Sequence, residues 1–114
     1  MIFGRIENTT GGWYAGDFDD AIYRTKSFEA SYKKHPKGQF WEWHYHEHLD
    51  EINLVLSGKV KIQGKVFTAG DIFIFEPMEL ADPEFLEDCE IICIKAPNIR
   101  GDKVVVKVDP NIHK

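Results

Sequence analysis

Residues Gly38 to Gly58 read GQFWEWHYHEHLDEINLVLSG, and the folding of this stretch decides how the rest of the chain is arranged. Three of the chain's five histidines, His44, His46 and His48, fall inside it, with Glu51 just beyond and Trp41, Trp43 and Tyr45 interleaved. Side chains alternate faces along a strand, so His44 and His46 share one face with α-carbons about 6.5–7 Å apart, close enough for two imidazoles to meet on one ion. His48 lies about 13 Å from His44 in the same extended geometry. All three reach one ion only if the strand bends sharply, so one of them is expected to be a bystander.

Counting outward, Gly38 is followed by five residues, His44, one residue, His46, four residues, Glu51, six residues and Gly58. This spacing resembles the first motif of the cupin superfamily, G-x5-H-x-H-x3,4-E-x6-G, at every specified position. The resemblance implies His44, His46 and Glu51 as ligands of a divalent transition metal (Fe, Mn, Zn or Ni) and leaves His48 outside the set. A histidine-rich strand end facing water is the plainer alternative; the glutamate and both glycines in register weigh against it.

The second cupin motif, roughly G-x5-P-x-G-x2-H-x3-N, is altered here. Gly70 and Pro77 enclose six residues, Glu79 takes the place of the glycine, Asp82 takes that of the third metal histidine, and no asparagine follows in register. The last ligand is then Asp82, a neighbouring carboxylate such as Glu79, or absent. With Asp82 the donors are two imidazoles and two carboxylates, suited to those metals and too rich in nitrogen for calcium. Without it, His44, His46 and Glu51 resemble the 2-His-1-carboxylate face of non-haem iron oxygenases. Loss of the metal is a third outcome. An Asp ahead of Pro83 is also an ordinary turn former.

The whole chain sets the frame. At 114 residues it is long enough for one core and too short for two, so a single domain is expected. A net charge of −5 with no basic cluster argues against nucleic acid as a partner. No apolar run is long enough to cross a bilayer, and MIFGRIENTT has no signal-peptide core, which predicts no membrane role and a cytoplasmic location. Cys89 and Cys93 lie four apart in the strand-like run CEIICI, about 13 Å from each other, too far for a disulfide. Free buried thiols suit a reducing compartment.

Along the chain, residues 1–20 are rich in turn formers and read as an N-terminal arm, residues 21–97 as the barrel core, and residues 98–114 as a C-terminal strand and tail. Ile22 to Tyr32 reads as one half-exposed strand, and KKHPKG as a polar turn with His35 in solvent. Glu51 to Leu56 alternates Ile52, Leu54 and Leu56 against Glu51, Asn53 and Val55. Two short strands flank Gln63-Gly64, and Asp71 to Pro77 reads as a strand buried on both sides. Short strands with Gly and Pro turns, and no sustained helical period, indicate an all-β protein. With the resemblance, this is a cupin-type jelly-roll barrel of two antiparallel sheets. The tail IICIKAPNIRGDKVVVK resembles the end of small single-domain cupins, an overlap that runs from Gly12 to Lys107.

If the histidines face inward, alternation sends Trp41, Trp43 and Tyr45 outward and keeps Phe40, Glu42 and Asn53 inside. The outward aromatics, with Ile52, Leu54 and Leu56, make an apolar face that calls for cover, and a homodimer is the expected answer. Glu42 and Asp82 are the candidate acid–base groups; Asn53, His48 and Glu79 are candidates for holding substrate or steadying a ligand. The site suggests a small polar molecule, a sugar or a carboxylic acid by resemblance, handled by Lewis-acid-assisted isomerase, epimerase or lyase chemistry. The rivals are a non-haem iron oxygenase, a non-catalytic module that binds a metal or small ligand, and a structural dimer with vestigial histidines.

Overall fold

A computed structural model describes residues 1–106. The end of the expected C-terminal tail, from residue 107, lies outside the described residues. Among the described residues, eleven strands and one turn of 3-10 helix, Ile6–Asn8, make up the regular structure. Strands β1 (Trp13–Gly16), β2 (Tyr23–Arg24), β3 (Glu29–His35), β5 (Asp50–Ser57), β8 (Ile72–Phe75) and β10 (Cys89–Ala96) form one sheet in the order β2-β1-β3-β10-β5-β8. All its pairs are antiparallel except β1 with β2. Facing it are a pair, β4 (His44–His46) with β11 (Lys103–Val105), and a three-stranded sheet in which β6 (Lys59–Ile62) lies between β7 (Lys65–Thr68) and β9 (Glu84–Phe85).

The core fills the space between these walls. Val55, Phe75, Cys89 and Ile91 of the large sheet meet Val60, Ile62, Ala81 and Phe85 from the other side, with Trp41, Phe67 and Phe73 packed against them. Each large apolar side chain so enclosed contributes about 1.5–3 kcal/mol. Gln63 and Gly64, at φ 50° and 78°, turn β6 into β7 as a two-residue hairpin whose conformation matches the strand twist. Gly58 has no alternative between β5 and β6: at φ 87°, an added Cβ would stand 2.1 Å from the Asp88 carbonyl oxygen.

The strand pattern departs from the sequence-based expectation at four places. The stretch from Ile22 to Tyr32 is two strands, broken where the Thr25 hydroxyl accepts a hydrogen bond from the Ser27 N–H at 3.1 Å and bends the chain. The expected N-terminal arm supplies β1, which is inserted between β2 and β3. His35 ends β3 and is buried, stacked 4.5 Å from Phe85 and donating to the Gln39 side-chain oxygen at 2.7 Å. β8 is an edge strand with Ile72 and Ile74 outward at 64% and 50% exposure, so it is buried on one side only. Its partner β5 behaves as alternation requires: Glu51, Asn53 and Val55 are buried, and Leu56 is exposed. Among the described residues no helix is long and apolar enough to cross a membrane.

Candidate metal centre

His44 and His46 come from β4 and Glu51 from β5, on opposite walls of the barrel. All three are buried, at 3%, 5% and 5% exposure, and their donor atoms lie within 4.8 Å of one another. His46 Nε2 is 3.6 Å from a Glu51 carboxylate oxygen. Ligands about 2.1 Å from a shared ion in tetrahedral geometry stand roughly 3.4 Å apart, so the pair is within a few tenths of an ångström of ligating geometry. Both ring nitrogens of His46 are buried with no hydrogen-bond partner, an expensive state in a protein interior that an ion would relieve. The donor set therefore fits a divalent transition metal.

The surroundings prepare these donors. His44 Nδ1 lies 3.1 Å from the Glu42 carbonyl, which only accepts, so Nδ1 carries the proton and Nε2 presents a lone pair. Burial, ahead of every other influence, pushes His44 below the usual histidine range and keeps the ring neutral, the form that binds metal. For Glu51, burial pushes the carboxyl up, but His46, Lys95 and Asn53 together outweigh it and hold the group below the usual carboxylate range. Asn53 Nδ2 approaches a Glu51 carboxylate oxygen and the Glu51 carbonyl, each at 3.4 Å. Cys93, opposite Asn53 in the sheet, is a free thiol held up by burial and so protonated.

The other candidate residues are placed as follows. Glu42 is exposed at the lining of the cavity, and its backbone carbonyl, more than its carboxylate, steadies His44. Asp82 is not brought to the group: its carboxylate accepts from the Gln63 N–H at 3.0 Å and lines a different cleft. Glu79 accepts from the Glu76 N–H at 3.0 Å in the same turn. His48 is exposed and paired with Asp102 at 2.8 Å, away from His44 and His46, in a second group with Glu47. Asp102 is committed to the backbone there, taking N–H groups of His48 and Leu49 at 3.0–3.1 Å.

Two side chains reverse the alternation argument. Trp41 turns inward, with ring centroids 5.2 Å from His35, 5.8 Å from His44 and 5.9 Å from Phe85. Phe40, expected inside, is 83% exposed. The reason is that β4 begins only at His44, and residues 36–43 are loop, so a period of two does not extend back to them. Trp43 and Tyr45 are half-buried where β11 pairs over β4.

His44 and Glu51 line a cavity of about 410 Å³, within the usual size of small-molecule sites, and His46 lies buried behind them. Lys33, Lys95 and Lys103 also line it, together with Trp13 and Ser31. None of these was singled out from the sequence, although a signal existed: Lys95 follows Ile91 and Cys93 at the same period of two, a charge on an otherwise apolar inner face.

Known structures share this architecture. A double-stranded β-helix protein from Klebsiella pneumoniae matches with a TM-score of 0.65 at 22% identity over 74% of each chain. An RmlC-like cupin from Ralstonia eutropha matches with a TM-score of 0.56 at 17% identity, over 74% of this chain and 59% of that one. This chain has the cupin fold. The cupin barrel is also found in the DMSP lyase DddQ of Ruegeria pomeroyi, at a TM-score of 0.68 and 14% identity; 82% of this chain matches 49% of that one. No protein-family model and no curated relative matches the sequence.

Proposed function

We propose that this cupin binds a divalent transition-metal ion through His44, His46 and Glu51 and acts on a small polar molecule, a sugar or a carboxylic acid, by isomerase, epimerase or lyase chemistry. One observation carries the proposal: three buried donors converge from two walls of the barrel, both nitrogens of His46 lack a hydrogen-bond partner, and two of the donors, His44 and Glu51, line a cavity of about 410 Å³. An ion held by such a set supplies Lewis acidity toward a carbonyl or hydroxyl oxygen. The chain's own residues orient and shield. The Glu42 carbonyl fixes the tautomer of His44, Asn53 steadies the Glu51 carboxylate, and Trp41, Phe73, Phe75 and Phe85 keep the walls dry. The Glu42 carboxylate, at the cavity lining, is the side chain placed to give or take a proton. That DddQ performs lyase chemistry in the same barrel is compatible with this assignment.

A second reading, a non-haem iron oxygenase, is favoured by one feature: without Asp82 the donors are two histidines and one carboxylate, which leaves positions open. The free, protonated thiols accord with a cytoplasmic setting. We also propose a homodimer through the outer face of the large sheet, where Tyr32, Ile92, Leu54 and Ile72 lie side by side in register, next to Ala30, Ile94, Ile52 and Ile74.

Elemental analysis of protein purified without added metal, beside a His44→Ala/His46→Ala variant, tests the centre. Near-stoichiometric metal in the parent and none in the variant is the expected result; no metal in either refutes it. Turnover of keto-sugars or oxo-acids by the metal-loaded protein then identifies an enzyme. Bound metal without turnover identifies a binding module.

A further inference from the structure

The wall opposite β4 carries an arrangement that lies outside the three metal donors. Trp13 on β1 has the Lys33 Nζ 4.7 Å from its ring centroid and the Lys95 Nζ 4.9 Å from the same centroid. Two ammonium groups are therefore within about 10 Å of each other across one indole. Among the described residues neither enters an ion pair, although Lys95 is in register with Glu29 on one side and Glu51 on the other. Burial first, and then the Lys95 charge, pull the Lys33 ammonium below the usual lysine range.

Between them stands an unused hydroxyl. Ser31 is in register with both Trp13 and Cys93 and two residues from Lys33 on the same face of β3. It is fully buried, it lines the cavity, and its Oγ has no hydrogen-bond partner. A buried hydroxyl without a partner and two unpaired ammonium groups on one surface form an incomplete set of donors, and a group rich in acceptor oxygens completes it.

The charge balance points the same way. Three lysines and two glutamates line the cavity, so its walls are net positive in a protein whose net charge is −5, and a divalent ion at Glu51 adds two more positive charges. We propose that the ligand of this cavity is a carboxylic acid rather than a neutral sugar, with its carboxylate held by Lys33, Lys95 and Ser31 beside Trp13 and the remainder of the molecule directed toward His44, His46 and Glu51. This selects the acid from the two classes of the proposed function. Only the second half of the contact rests on the metal centre.

Calorimetric titrations of the metal-free and the metal-loaded protein test it, using pyruvate against methyl pyruvate, malate against dimethyl malate, and glucuronate against glucose. At least one acid binds tenfold or more tightly than its neutral counterpart in both forms of the protein, and the preference shrinks as salt is raised, because charge pairs are screened. Lys33→Met/Lys95→Met keeps the stems against Trp13 and abolishes the preference in the metal-free protein, where the loss of the Lys95 charge beside Glu51 has no bearing on the reading. Ser31→Ala keeps the preference and weakens the acid severalfold. If no acid outbinds its neutral partner, or if the preference survives in the double-lysine variant, the assignment is overturned. Because the metal-free protein is tested separately, a missing metal does not mask a functioning anion site, and the two failures stay apart.

Discussion

The two orphaned nitrogens of His46 set up a quantitative test of the metal centre. In the metal-free protein each buried, unsatisfied polar group costs about 1–3 kcal/mol, and His46 has two, offset in part by its 3.6 Å approach to Glu51. Replacing the ring in His46→Leu removes that penalty and fills most of the volume, but deprives Glu51 of its nearest partner. The two changes oppose each other, so the metal-free variant is expected within about 1 kcal/mol of the parent, whereas breaking an ordinary buried polar network costs about 3 kcal/mol or more. Metal then separates them. An ion present at a hundred times its dissociation constant stabilises the parent by about 2.7 kcal/mol. At roughly 4 °C per kcal/mol for a domain of this size, Tm rises by about 11 °C. Thermal unfolding followed by circular dichroism, with Zn, Mn, Ni or Fe(II) titrated into chelator-treated protein, reads both effects. The reasoning fails if no ion raises the parent Tm, if His46→Leu responds as the parent does, or if the metal-free variant loses several kcal/mol, which would mean that the protein itself satisfies the ring.

Three further outcomes follow from the structure. Gly58→Ala places a Cβ 2.1 Å from the Asp88 carbonyl oxygen at φ 87°, whereas Gly64→Ala, at φ 78°, meets nothing within 4 Å. Urea denaturation should show about 1 kcal/mol lost at Gly64 and clearly more at Gly58; equal losses would refute the packing argument. Burial, as the leading cause, lowers the pKa of His35, so the unfolded chain binds protons there first and stability falls as pH drops below about 6.5. In His35→Phe the ring stack on Phe85 is kept and the stability-versus-pH slope between pH 6.5 and 5 should flatten by up to about 1.4 kcal/mol per pH unit; an unchanged slope would place the titration elsewhere. Ile74→Glu, at a half-exposed position on the outer sheet face, is expected to convert a dimer to a monomer in sedimentation without loss of metal; a parent that sediments as a monomer refutes the dimer.

The period of two was legible wherever the chain is extended and misleading wherever it is not. It placed Glu51, Asn53 and Val55 inside and Ile52, Leu54 and Leu56 outside, because β5 runs unbroken from Asp50 to Ser57 with hydrogen-bonded neighbours on both sides. The same rule misplaced Trp41 and Phe40, since the backbone there is loop and its side chains follow packing: the indole of Trp41 gains the rings of His35 and Phe85, which outweighs any strand alternation. His35 was legible only as a neighbour of Pro36, a turn signal, whereas its burial depends on Phe85, fifty residues away in sequence and invisible to any local pattern. Asp82 was placed by counting from a proline; in the folded chain the Gln63 N–H, supplied by the β6–β7 turn, takes its carboxylate.

The lysines show most clearly what a strand pattern contains without revealing it. Lys33 and Lys95 each fall on the inner face by alternation, yet a lysine at the end of an apolar strand is usually explained by its reach to solvent, and nothing local says otherwise. What changes their meaning is Trp13, from a segment expected to be an N-terminal loop or edge strand. It enters the sheet as β1 beside β3 and supplies the ring on which both ammonium groups rest. The N-terminal segment thus belongs to the site and not to a peripheral cover. Its removal should cost the anion contact while leaving the donors of β4 and β5 in place, because those two strands draw their partners from β8, β10 and β11 and none from β1.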